Sequence, residues 1–251
     1  MMATPENQHP NPTASASVSD GHAPGTHLGA DLGAALRFMW RMISRRGGAL
    51  LPAICVYGAI ALALDVVKGL TGDDGVGSGP LVSLPFADHL PHWLLISLTG
   101  SELVLSLANL VVTLLWTAAC LRFGVDGLEG HRGGSNRYFT GSGQVIWIYI
   151  LTSLAIVVGL VLLVVPGLVA IVLLVFAPAA AARGSERPFG ASAAVARRHV
   201  GTTILGILMV WVLSLLTADL NVLDILAAPF TSLFLLGLYE RLSGRELPDA
   251  P

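Results

Sequence analysis

Residues 158–201 read VGLVLLVVPGLVAIVLLVFAPAAAARGSERPFGASAAVARRHVG, and the run up to Ala182 carries no charge. An uncharged stretch of this length reads as membrane helix, because a hydrocarbon core of about 30 Å asks for about 20 apolar residues. Pro166-Gly167 divides it. With the preceding segment it gives a span over 144–165, a Pro-Gly turn, and a second span over 168–182. That last helix reaches only about 22 Å at about 1.5 Å per residue. The hairpin must therefore tilt, thin the bilayer or hide its turn among other helices. Beyond the charged link, Pro188 is a good first-turn residue. Phe189, Ala193, Ala196 and Val200 share one helical face while Arg197 and Arg198 project from it, which predicts an amphipathic helix over 188–200.

Working outward, the rest of the chain follows the same pattern. Of 251 residues 54% are hydrophobic and 12% charged, with a mean hydropathy of +0.73. The charge is about half that of an ordinary soluble domain, so a soluble enzyme with one apolar core is excluded. Further apolar blocks predict spans near 47–67, 103–123, 201–216 and 223–239. The fold expected is all-α: a polytopic integral membrane protein with six transmembrane helices and two cytosolic amphipathic helices. The first of these, 31–46, opens at Asp31 as N-cap. It places Leu32, Leu36, Met39 and Ile43 on one face and Arg37, Arg41 and Arg45 on the opposite one. Such a helix is expected to lie in the interface plane. The membrane domain then covers 47–242. Residues 1–30, rich in Pro, Ser, Ala, Gly, His and Asn, read as a disordered cytosolic tail, and 243–251 as a second tail.

Orientation follows from counting positive charge. With six spans and both termini in the cytosol, thirteen of the fourteen basic residues fall on the cytosolic side, as the positive-inside rule requires. Thirteen arginines against the single Lys68, with much Ala and Gly, match the usage of a high-GC bacterium, and the expected location is the bacterial cytoplasmic (inner) membrane. Cys55 and Cys120 both sit in apolar blocks and read as buried structural thiols. A net charge of -2 gives no reason to expect nucleic acid.

The run 158–201 also resembles the membrane domain of bacterial glycerophosphodiester phosphodiesterases and its free-standing YciC-like relatives. The likeness lies in an apolar helix, the Pro166-Gly167 turn, a second apolar helix ending at Pro178, a short Ala/Arg helix and another span. The opening ALRFMWRMISRRGGALLP, residues 35–52, is similar to that family's N-terminal helix and first span. The family usually has Ser and Trp within the amphipathic helix, where this chain reads Ala194, Val195 and Ala196. The resemblance implies membrane architecture and little chemistry, because the phosphodiesterase activity of fused members belongs to a soluble barrel of about 250 residues. The only long soluble segment here is the N-terminal tail, so that activity is not expected.

Ionisable groups inside a bilayer are functional candidates by default. Glu102, Ser106 and Asn109 share a face of the second span, either lining a path or, in the plainer reading, hydrated at the outer interface and gluing helices. Asp65, Asp219 and Asp224 fall near outer helix ends, where an acidic vestibule is the alternative to simple hydration. Asp88, His89 and His92 cluster on the first outer loop but lack a further metal ligand. His131 and His199 fall in basic cytosolic segments and read as solvated. No catalytic motif, metal set or cofactor signature occurs. The function expected is non-enzymatic: organising lipids or partner proteins at the cytosolic leaflet, with Arg37, Arg41, Arg45, Arg197 and Arg198 as contacts to anionic lipid or an acidic partner. Each Arg near an anionic surface contributes about 1 kcal/mol. The alternative is the membrane subunit of a transporter, with the 187–200 helix docking a cytosolic ATPase.

Overall fold

The computed structural model describes residues 23–71, 100–130, 143–217 and 221–247. Every regular element among them is helical. They are α1 (Leu28–Arg46), α2 (Leu51–Thr71), α3 (Gly100–Leu128), α4 (Gly143–Leu162), α5 (Val164–Leu174), α6 (Ala177–Ala182), α7 (Pro188–Arg198), α8 (Val200–Thr217) and α9 (Asn221–Leu242). A 3-10 turn over Gly47–Ala49 joins the first two. Among the described residues three helical stretches are long and apolar enough to cross a membrane: Leu107–Leu128, Gly143–Leu160 and Val164–Ala182. The number rises to five if each of two bent pairs is one span, α1 with α2 at 82° and α7 with α8 at 107°.

The helix outside that set, α9, is the hub. It packs against α1, α2, α3, α6 and α8, and a helix surrounded by protein can carry Thr231, Ser232 and Pro229 on its length. Its contact with α1 depends on Gly237, where a Cβ would lie 2.9 Å from Phe38 Cδ1 and 3.4 Å from the Ala35 Cα. Phe38, Met42, Leu50, Ala53 and Tyr57 then pack with Trp116, Cys120, Phe123 and Leu233 in one apolar cluster. Tyr57 and Trp116 stack there with ring centroids 5.1 Å apart. A second cluster joins Phe176 and Ala177 to Leu236, Leu238 and Tyr239.

The hairpin turns at a different residue from the one expected. Pro166 and Gly167 lie inside the first turn of α5, and the break is Leu163, extended at φ -163°, ψ 131°. Proline is at home here because the first N–H groups of a helix have no intrahelical acceptor to lose. The Leu163 N–H still donates to the Gly159 carbonyl at 3.0 Å, ending α4 in register. Gly159 and Gly167 then face each other so closely that a Cβ on Gly159 would lie 2.9 Å from the Gly167 Cα, and one on Gly167 2.7 Å from the Leu160 backbone nitrogen. Glycine serves this pair as the contact of a hairpin, not as its turn.

The expected span 168–182 is likewise two helices, with a turn at Val175 and Phe176. Ser192 of α7 stitches it. Its hydroxyl donates to the Leu173 carbonyl at 2.7 Å and accepts from the Phe176 N–H at 3.2 Å. This bond explains why α7 buries Pro188, Ser192 and Ala196, whereas Val200, expected on its apolar face, is exposed and begins α8.

Two further expectations change. The buried side of α1 is Asp31, Leu32, Ala35, Phe38 and Met42, while Leu36 and Trp40 are exposed. Alone on a surface, the helix would gather its largest apolar residues on one side; against α9, the small Ala35 lets the backbones approach and turns Leu36 and Trp40 outward. Cys120 is buried as expected, but Cys55 is exposed on the outward side of α2.

Candidate functional site

One end of the molecule gathers the last turns of α3, α6 and α9 with the first turns of α1 and α4. Asp31 lies in the first turn of α1, which starts at Leu28 with His27 in the cap position, so it is not the cap. It is 1% exposed. Its Oδ1 accepts from the Gly25 N–H at 3.0 Å and from Arg241 Nε at 3.2 Å, across 210 residues of sequence. The positive end of the helix dipole favours a carboxylate at this position. Next to Arg241 in the last turn of α9, Glu240 is also buried. Arg183 Nε lies 3.0 Å from its Oε1, and Arg245 Nη1 donates to both of its oxygens at 3.2 and 3.3 Å. Arg183 Nη1 then reaches Glu129 Oε1 at 3.2 Å. These pairs tie α6 to α3 and α9, and α9 to α1.

Beside this network a cavity of about 330 Å³ opens between α3, α4 and α6. Its polar lining is Arg122 and Asp126 from α3, Glu129 just past its end, Gln144 from α4, and Arg183 following α6. Spacing explains the first set, since residues 122, 126 and 129 recur at i, i+4 and i+7 on one face. Among the described residues no group of three His, Cys, Asp or Glu side chains could hold a metal ion.

The residues singled out from sequence fall elsewhere. Arg37 and Arg45 are exposed and Arg41 half-buried on the side of α1 away from α9. Arg37 Nε donates to the Gly33 carbonyl at 3.3 Å, and all three make further contacts. Arg197 and Arg198 are exposed in the last turn of α7. The start of α1 lies against the bend between α7 and α8: a Cβ on Gly25 would lie 3.1 Å from half-buried His199 Cε1, and one on Gly201 4.0 Å from Leu28 Cδ1. Asn109 is exposed on the first half of α3, and the cavity lies on its second half. The side chains of Glu102, Ser106, Asp65 and Asp224 lie outside the described residues, as do Asp88, His89, His92, His131 and Asp219.

Sequence reading missed the ion-paired set. Arg183, Arg241 and Arg245 counted there only toward orientation, and Asp31 only as a cap. The available signal was Glu240-Arg241 closing an apolar helix, an adjacent charge pair in a last turn. Comparison of the chain with protein-family models, curated proteins and solved structures gives no match.

Proposed function

We propose that this chain is a non-enzymatic integral membrane protein of the bacterial cytoplasmic membrane that organises anionic lipid or partner proteins at the cytosolic leaflet. In this reading α2, α3, α4, α5 with α6, α8 and α9 make six spans, both termini are cytosolic, and α1 and α7 run along the membrane surface. The sequence likeness to the membrane domain of glycerophosphodiester phosphodiesterases is part of the same proposal. The observation that carries it is the pair of bends of 82° and 107°, which set each arginine-bearing helix across the apolar helix it precedes. A helix lying in the interface can present arginines to headgroups along its whole length. Trp40, exposed one turn from Leu36, suits the same level, since tryptophan concentrates at membrane interfaces.

Two experiments test the reading. In a background with Cys55 and Cys120 replaced by Ala, single cysteines at Ser78 and Ser135 are expected to label oppositely with an impermeant thiol reagent. Labelling of both from outside overturns the six-span topology. The purified full chain is expected to retain phosphatidylglycerol over phosphatidylcholine, less so as salt rises, because headgroup attraction is screened over about 8 Å at physiological ionic strength. An Arg37→Gln/Arg41→Gln/Arg45→Gln variant that retains phosphatidylglycerol as well as the parent overturns the surface role.

A further inference from the structure

The cavity between α3, α4 and α6 lies apart from the arginine face of α1, and its lining is charged in both senses. Four charged side chains meet there: Arg122 and Arg183 against Asp126 and Glu129. Their formal charges cancel, but their engagements differ. Arg183 is held between Glu240, 3.0 Å away, and Glu129, 3.2 Å away, so its charge is matched and its position fixed. Arg122 is half-buried in the lining and makes no ion pair with any described residue. One turn along the same helix, Asp126 turns a buried oxygen, Oδ2, into the structure, and Glu129 stands at the rim, about half exposed. Gln144 and Val145, in the first turn of α4, complete the wall.

We propose that this cavity binds a zwitterion carrying a phosphate and a primary ammonium group, the chemistry of a phosphoethanolamine headgroup. The phosphate pairs with Arg122 and accepts from the Gln144 amide, and the ammonium donates to Asp126 and Glu129. A neutral set of opposed charges selects a neutral ligand with opposed charges. A bare anion would meet two carboxylates, and a bare cation two guanidinium groups, and like charges held together in a partly desolvated site are costly. Size narrows the choice further. At about 330 Å³ the cavity stands at the small end of ligand pockets, so it takes a headgroup and leaves acyl chains outside. The ammonium must carry hydrogens, because charge-assisted bonds to carboxylates need donors and a trimethylated nitrogen has none.

The test uses the full chain, purified in detergent and stripped of lipid, with binding followed by native mass spectrometry. Dioleoyl phosphatidylethanolamine is expected to bind about tenfold more tightly than the trimethylated phosphatidylcholine, the difference of one good charge-assisted hydrogen bond, and more tightly than phosphatidylglycerol. Arg122→Gln is expected to weaken it and Arg122→Lys to retain most of it, while Asp126→Asn erases the preference over phosphatidylcholine. Soluble glycerophosphoethanolamine, a phosphodiester like the lipid headgroup, that competes as well as the lipid supports the same pairing and assigns the ligand to a free solute. Equal binding of the ethanolamine and choline lipids by the parent chain overturns the proposal, whatever the variants do. So does an Arg122→Gln chain, folded by circular dichroism and gel filtration, that binds the ethanolamine lipid like the parent. The triple α1 arginine variant separates this site from the surface role, since it is expected to leave the ethanolamine preference intact.

Discussion

The two ends of α4 and its partner helices live under different rules. At the end shared with α3, α6 and α9, charges are buried in pairs and the apolar side chains Phe176, Leu236 and Leu238 are fully enclosed. At the other end, where α4 folds into α5, Leu163, Val164 and Val165 are 66%, 63% and 69% exposed. Along α4 the same outward side continues through Trp147, Ile150, Leu154 and Val158. Large exposed apolar surface of this kind is a liability in water and an ordinary lipid-facing surface in a bilayer. The ion-paired end adds partner-specific contacts to the close glycine packing elsewhere, whereas the outward apolar side of α4 has none.

That contrast is sharpest at Asp31 and Arg241. Removing either partner strands a buried charge, which typically costs about 3 to 5 kcal/mol, so Asp31→Ala or Arg241→Ala is expected to bring a large drop in thermal unfolding temperature in detergent. Asp31→Leu combined with Arg241→Met, which removes both charges, is expected to recover most of the loss. Glu240→Gln, which deprives Arg183 and Arg245 of a buried carboxylate, belongs in the same class. If the single variants unfold like the parent, the ion-paired end does not hold the bundle together.

At the opposite end the expected effects are steric. Gly167→Ala forces a methyl to within 2.7 Å of the Leu160 backbone nitrogen, and overpacking of this kind costs about 1 to 3 kcal/mol. Val165→Ala, on the outward side of the same turn, is expected to stay within about 0.5 kcal/mol. Equal stability of the two variants would mean that α4 and α5 do not pack through their glycines. Between the two ends, Ser192→Ala removes the hydroxyl that bridges the Leu173 carbonyl and the Phe176 N–H. A buried donor left without its partner costs roughly 1 to 3 kcal/mol. Faster amide exchange confined to 173–177 is the expected signature, and unchanged exchange there would remove the stitch.

The same contrast explains what the sequence made legible. Apolar blocks and arginine spacing are local, and they marked the helices at the ends of α1, α4, α7 and α8 to within a few residues. The partners of a helix face are not local. Nothing in residues 28–46 announces that Asp31 pairs with a residue 210 positions on, and without that partner it reads as a cap. Leu36 and Trp40 are apolar in sequence whether they face α9 or lipid, so composition could not choose the buried side. Pro166-Gly167 carries a turn signature because both residues are common in turns; here proline starts a helix and glycine admits a neighbour. The charged cavity stayed hidden for the same reason, since Arg122 and Asp126 meet Gln144 and Arg183 only through packing.

A small expected effect is the most discriminating, because one side chain supplies its own control. Arg183 touches two carboxylates whose surroundings differ: Glu240 is 4% exposed and Glu129 47%. Coulomb attraction at similar distance is much weaker where water and salt reach the pair, and an exposed pair also costs side-chain entropy to hold in place. Glu129→Gln is therefore expected to change stability by no more than about 1 kcal/mol, and that small difference should shrink further as salt rises. Glu240→Gln, on the same guanidinium, should cost several times more and respond little to salt. The measurement is a pair of unfolding curves for each variant at low and high sodium chloride. If Glu129 matters as much as Glu240, the charged network is stabilised as a whole and not by its buried members, and the boundary between the locked end and the open surface lies farther out than Arg183.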